Sequence, residues 1–217
     1  MSGEFVWRME DVLDLYAAPH DPTRPVVCLD ECPVSLHDDV RPPLPPAPGH
    51  PARRDYEYRR CGTACLAVAF DSHRGWRHVW AGERRTKRDF AGWLKELVDV
   101  HYPAAAAIRL VVDNLNTHTP GALYEAFAPA EAHRIARKLE WHYTPKHGSW
   151  LNMVEIELSV LADQCLDRRL PDLATLARET TAYADRRNAQ HATIKWRFST
   201  SDARTKLDHL YPSLDPS

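Results

Sequence analysis

Three acidic residues stand where carboxylates commonly do chemistry. Asp30 closes the apolar run Val26-Val27-Cys28-Leu29, and Asp113 closes Ile108-Arg109-Leu110-Val111-Val112. Glu155 falls in the first turn of a helix expected from Asn152 onward. Both apolar runs read as strands, and in α/β sheets ligand sites gather at strand ends. Carboxylates brought together there repel one another unless cations neutralise them. An all-oxygen donor set suits the hard divalent ions Mg²⁺ and Mn²⁺. Two such ions about 3.5–4 Å apart activate an attacking oxygen and stabilise a leaving oxygen in phosphoryl displacement. Each acid also has a plainer use. Asp30 suits a cap for the turn around Glu31 and Pro33, Asp113-Asn114 suits a turn, and Asn152-Met153-Val154-Glu155 suits a capping box. Spacing alone does not decide, with 82 residues between Asp30 and Asp113 and 41 between Asp113 and Glu155.

The elements that must position these acids follow from periodicity. Residues 1–16 carry a helical stripe of Val6, Met9, Leu13 and Tyr16, ended by prolines. Residues 26–30 predict a short buried strand, and 61–71 with 76–81 predict a hairpin. Phe90, Trp93, Leu94, Leu97 and Val98 recur at helical spacing over 86–101. A β-rich run at 107–113 follows, then two short helices over 121–137 divided at Pro129, then a strand at 139–143. Helices are expected over 152–166 and 173–188, and a less regular stretch from 194. The proline-rich loop 41–51 holds six prolines in eleven residues and is expected to run extended. Antiparallel strands followed by strand–helix alternation predict an α/β fold, a mixed sheet with helices on both faces.

The 217 residues suit one domain of ordinary size with short extensions. A hydrophobic content of 44% with 27% charged residues is a globular balance. No apolar run approaches the roughly 18 residues a membrane span requires, and residues 1–14 are too acidic for a signal peptide. A cytoplasmic protein with no membrane partner is the expectation. The net charge of −2 gives no overall attraction to nucleic acid, but Arg53-Arg54, Arg59-Arg60, Arg84-Arg85, Lys87-Arg88, residues 134–138, Arg168-Arg169 and Arg186-Arg187 cluster positive charge locally. Five cysteines include the pairs Cys28/Cys32 and Cys61/Cys65. Zinc spacing is one reading of them, but residues four apart on a strand stand about 13 Å apart. Buried free thiols are the expectation.

Three segments carry a family resemblance. Val112-Asp113-Asn114-Leu115-Asn116-Thr117-His118 resembles the second-aspartate motif of bacterial insertion-sequence transposases related to the mariner elements. The segment 143–155, Tyr-Thr-Pro-Lys-His-Gly-Ser-Trp-Leu-Asn-Met-Val-Glu, is similar to their third-acid motif, and Val26 to Glu31 resembles their first-aspartate strand. Residues 188–211 look like their C-terminal segment, so the resemblance runs over about residues 4–212. It implies a ribonuclease H-like fold and a DDE catalytic domain over 25–212, with a lead-in helix before it, a helical insertion at 121–138 and a tail at 213–217. Asp30, Asp113 and Glu155 would be the catalytic, metal-binding triad for two Mg²⁺ or Mn²⁺ ions. Glu157 rivals Glu155. On a helix of about 3.6 residues per turn the two flank the stripe Val154, Leu158, Leu161 and Cys165 at similar angles, and the Leu-Asn-x-x-Glu pattern selects Glu155.

The activity the resemblance implies is cleavage of transposon-end DNA followed by strand transfer of the 3′-hydroxyl into target DNA, by a homodimer in a bacterial, nucleoid-associated setting. His118 is a candidate near the metals or the scissile phosphate, or else a capping or surface histidine. Lys146 and His147 are candidate phosphate contacts. Trp150 is a candidate base-stacking residue or a core tryptophan. The interval between Asp113 and Glu155 is longer than in mariner relatives, and 121–138 accommodates the excess. Family members carry a helix-turn-helix unit ahead of the first catalytic strand, and no two-helix unit precedes Asp30. Two other functions stay open: another ribonuclease H-like nuclease, and a truncated, catalytically silent DNA-binding or assembly module.

Overall fold

The computed structural model describes residues 2–213. One sheet holds β1 (Val26–Asp39), β2 (Tyr58–Asp71), β3 (Trp76–Gly82), β4 (Ile108–Val112) and β5 (Leu139–Tyr143) in the order β3-β2-β1-β4-β5. The first three strands pair antiparallel, while β1 with β4 and β4 with β5 pair parallel. The β2–β3 turn is built by Asp71, whose carboxylate accepts the amides of His73 at 3.0 Å and Arg74 at 3.1 Å. Gly75 closes that turn at φ +61°, where a Cβ would lie 2.6 Å from the His191 carbonyl carbon. The parallel pairs require crossovers. These are α2 (Lys87–Glu96) with a π-helical extension Leu97–His101, and then α3 (Gly121–Ala126) with α4 (Pro129–Ala136).

Strand alternation divides the core in two. Val26, Cys28, Val68, Phe70 and Val111 face a cluster completed by α1 (Gly3–Ala17), by α5 (Val154–Leu161) with its π-helical extension Ala162–Leu166, and by α6 (Leu173–Ala189). Val27, Leu29, Ala67, Ala69, Leu110 and Val112 face the second cluster, covered by α2, α3 and α4. The expected mixed sheet with helices on both faces is therefore the fold.

Several boundaries differ from expectation for physical reasons. Strand β1 runs to Asp39, well past the apolar run, because β2 pairs with it from Cys28 to Asp39. Beyond Asp30 the β4 side of β1 is open, so Pro33 removes no ladder hydrogen bond there. The proline-rich loop folds back through bridges Leu44↔Arg53 and Ala47↔His50 rather than running extended. A short helix, α7 (Thr200–Lys206), occupies the stretch expected to be irregular. It is too short for an apolar stripe, and its signal is the reciprocal Ser199–Asp202 capping box. Of the tail expected at 213–217, residues 214–217 lie outside the described residues. Among the described residues no helix is long and apolar enough to cross a membrane.

Candidate active site

Register places the two aspartates. Val26, Val27 and Cys28 lie opposite Arg109, Leu110 and Val111 in the parallel β1–β4 pair. Two residues further on, that register sets Asp30 beside Asp113 on strands about 4.8 Å apart. By strand alternation both continue the face of Cys28 and Val111, the face that α5 covers. Asn152 then joins strand to helix. Its fully buried amide donates to the Leu29 carbonyl at 3.1 Å, and its Oδ1 accepts the Val154 amide at 3.5 Å. The first turn of α5, carrying Glu155, is thus tied to the backbone immediately before Asp30. The capping box is not formed, since Met153 occupies the N-cap position with no side-chain cap. Among the described residues the Glu155 carboxylate accepts no hydrogen bond.

The electrostatics fit a site that needs a cation. Asp30 is 9% exposed. Burial, with the charges of Asp113, Glu155 and Glu31, pushes its carboxyl from 3.8 up to about 7, against the hydrogen bond from the Glu31 amide. Asp113 behaves differently. Burial pushes it up, but hydrogen bonds from His118 and the Leu115 amide outweigh that and hold it below the ordinary carboxylate range. His118 has no exposed surface. Its ring donates from Nδ1 to Asp113 Oδ1 at 2.6 Å and from Nε2 to Glu31 Oε1 at 3.0 Å. Burial lowers its pKa, yet these two partners raise it to about 9, so the ring is cationic at neutral pH. The oxygens of Asp30, Asp113 and Glu155 do not all lie within 4.8 Å of one another.

Three placements correct or extend the sequence reading. His118 is neither a surface histidine nor able to touch DNA, because it is enclosed behind Asp113 and against Phe90, ring centroids 4.5 Å apart. Its partner Glu31 was not singled out. The signal was the pair Asp30-Glu31 at a strand end, since adjacent strand residues face opposite sides and Glu31 points to the His118 side. Glu157 is fully buried. It accepts from Arg77 Nε at 3.0 Å, Tyr183 Oη at 2.7 Å and Arg187 at 3.1 Å. Its oxygens are therefore engaged between β3 and α6, while those of Glu155 are not.

The loop before α5 presents its cations outward. Gly148 donates to the Pro145 carbonyl at 2.8 Å, and a Cβ on it would lie 2.6 Å from Pro145 Cγ. His147 takes φ +65° in this tight turn. Lys146 and His147 are exposed and line one groove with Asp113, Asn114 and Ser149. Trp150 is 43% exposed and meets Phe198 edge-on, so it is not the core tryptophan of the plainer reading. Arg85, exposed, acts electrostatically on Asp113 and lowers its pKa. All five cysteines are free, and burial pushes the Cys28 and Cys32 thiols up to about 12.

Comparison with solved structures finds the Mos1 mariner paired-end complex with Mn, at a TM-score of 0.54 and 16% identity, covering 88% of this chain and 59% of that one. The Mos1 strand transfer complex gives a TM-score of 0.55 at 14% identity, covering 87% of this chain and 57% of that one. The chain thus spans less than two thirds of the length of these transposase chains, and the likeness establishes a ribonuclease H-like fold. Comparison with the curated proteins finds no match. Residues 25–177, from the start of β1 into α6, match the family described as DDE superfamily endonuclease, and the chain belongs to that family.

Proposed function

We propose that this chain is the catalytic domain of a transposase, which cleaves transposon-end DNA and joins the freed 3′-hydroxyl to target DNA. The observation that carries this reading is the Asn152 tie. It brings the only acid of α5 whose carboxylate is not engaged to the strand end shared by Asp30 and Asp113. The donor set is all carboxylate, which fits Mg²⁺ or Mn²⁺. Asp30, Asp113 and Glu155 would hold such ions, two of them if the chemistry is the two-metal kind. Bound there, such ions supply Lewis-acid activation of the attacking oxygen and charge stabilisation at the leaving one.

The chain's own residues do the rest. Asp30, Asp113 and Glu155 hold the ions. The cationic His118 keeps Asp113 ionised and fixed in direction, leaving Oδ2 free to face the site. Lys146, His147 and Arg85 engage phosphates of DNA laid across the strand ends, positioning the scissile bond without reading sequence. Trp150 offers a stacking surface for a terminal base. Water attacks the phosphodiester at the transposon end and releases a 3′-hydroxyl. That hydroxyl then attacks a target phosphodiester, and the target's own 3′-oxygen leaves. Neither step needs a protein nucleophile.

A strand-transfer assay with precut ends and Mn²⁺ tests the proposal. Joined products that vanish in chelator and in Asp30→Asn, Asp113→Asn and Glu155→Gln are expected. Hydrolysis without joining selects a simple nuclease, and DNA binding with no chemistry selects a silent module.

A further inference from the structure

A second cluster of ligating side chains lies on the far side of the sheet edge, away from the acids of the proposed active site. His78 on β3, Glu96 at the end of α2 and His101 at the end of the π-helical extension each bring one donor atom to within 4.8 Å of the others. His78 Nε2 is 3.5 Å and His101 Nε2 is 3.4 Å from the same oxygen, Glu96 Oε1. Neither contact has hydrogen-bond geometry, and His101 Nε2 is buried without a hydrogen-bond partner. Bonds of about 2.0–2.1 Å at tetrahedral angles set ligand atoms roughly 3.3–3.4 Å apart. The two imidazole-to-carboxylate distances are close to that spacing, and the third pair of donor atoms lies within 4.8 Å.

The local structure is built for this convergence. On an ordinary α-helix, residues five apart point away from each other. The π-helical turn Leu97–His101, closed by the Tyr102 amide on the Leu97 carbonyl, winds more slowly and returns His101 to the face of Glu96. The second oxygen, Glu96 Oε2, accepts the Trp80 indole N–H at 2.8 Å, which fixes the carboxylate's direction. Outer partners of this kind are what orient metal ligands. Trp76 and Trp80 flank the imidazoles, at 4.8 Å from His101 and 4.4 Å from His78 between ring centroids. The side chains of His78, Glu96 and His101 stay 32%, 39% and 17% exposed, so a fourth position opens to solvent.

We propose that His78, Glu96 and His101 form a binding site for a borderline transition-metal ion, Zn²⁺ above all, which ties the edge strand β3 to the end of α2. Two imidazoles and one carboxylate favour such an ion over Mg²⁺, which takes oxygen ligands. The site is thereby chemically separate from the all-carboxylate triad.

The test titrates Zn²⁺ alone into the purified full chain carrying Asp30→Asn, Asp113→Asn and Glu155→Gln, so that the triad's carboxylates contribute nothing. Calorimetry is expected to show one equivalent bound, and Co²⁺ in its place to give the visible absorption of a tetrahedral ion. His78→Ala or His101→Ala should weaken binding by more than the roughly 10–100-fold that Trp80→Phe, an outer-partner loss, is expected to cost. Glu96→Gln keeps the side chain's shape and makes the same comparison should an alanine variant not fold. Absence of saturable binding in the parent chain, or unchanged affinity in the ligand variants, overturns the proposal.

Discussion

At Asp30 the stability of the metal-free fold and the proposed metal-holding role oppose each other. Its carboxyl is ordinarily near 3.8 and is held near about 7 in the folded chain, first by burial. Between those values the folded state keeps a proton that the unfolded chain releases. Stability of the metal-free protein therefore falls as pH rises from about 4 to about 7 and levels off above that. Asp30→Asn removes the ionisable group. In chelator, its thermal midpoint should match the parent near pH 4, exceed it by a margin that grows to about pH 7, and keep that margin above. A margin that does not grow below about pH 7 contradicts the assignment. Mn²⁺ should stabilise the parent and leave Asp30→Asn little changed. The two glutamates of α5 give the opposite contrast. Glu157→Gln weakens the buried pairing with Arg77 and should cost about 3–5 kcal/mol in urea unfolding, with per-molecule activity retained in what folds. Glu155→Gln should leave the unfolding midpoint nearly unchanged and abolish cleavage. The reverse outcome makes Glu157 the third acid.

At the scale of elements, what the sequence exposed depends on where the signal resides. The neighbouring positions of Asp30 and Asp113, just past the paired stretch of β1 and β4, were legible because apolar runs stop there, and Leu139–Tyr143 has the bounds expected of it. The outer half of β1 was not, because its residues are half-exposed and its pairing is decided by β2, a distant segment. Nor was the choice between Glu155 and Glu157, which lie at similar angles from the buried stripe. It is decided by Arg77 on β3 and Arg187 on α6, residues no local pattern connects to α5. Asn188 shows the same kind of dependence: its amide donates to the Arg77 carbonyl at 2.9 Å and its oxygen accepts the Arg77 amide at 2.8 Å, giving edge strand β3 a partner it would otherwise lack. Asn152 was legible as part of a motif, but its act of joining α5 to β1 was not. Asn152→Ala leaves the buried Leu29 carbonyl without its donor, a cost of about 1–3 kcal/mol, and releases the first turn of α5. Displacement by about 1 Å at a reacting centre costs on the order of a hundredfold in rate. Cleavage should fall by that order while affinity for DNA is kept. Parallel losses in affinity and rate would mean that Asn152 acts on DNA instead.

For the whole molecule, the proposed function raises the question of how a chain of net charge −2 would hold a polyanion. Each basic cluster except Arg84-Arg85 has a member neutralised within the fold, while Arg53, Arg60, Arg84, Arg88, Arg137 and Arg186 make no ion pair among the described residues. Arg134 pairs with Asp99 and Glu131, Arg168 with Glu179, Arg169 and Arg54 with Asp39, and Arg59 with Asp38. Arg85 and Lys146 likewise make no ion pair among the described residues; Arg85 acts on the charge of Asp113, and Lys146 lines the groove that Asp113 lines. On the proposed function DNA lies across the groove beside Asp113, where these two cations would meet its phosphates. Each neutralised phosphate contributes a slope of about −0.9 to the dependence of log affinity on log salt. Lys146→Ala and Arg85→Ala should each flatten that slope by about one and weaken binding equally for unrelated sequences, since phosphate contacts position DNA without reading it. Arg134→Ala, an equal loss of charge in a neutralised cluster, should leave the slope unchanged. If Arg134→Ala flattens the slope as much as Lys146→Ala, DNA follows the overall field of the molecule and not the groove beside Asp113.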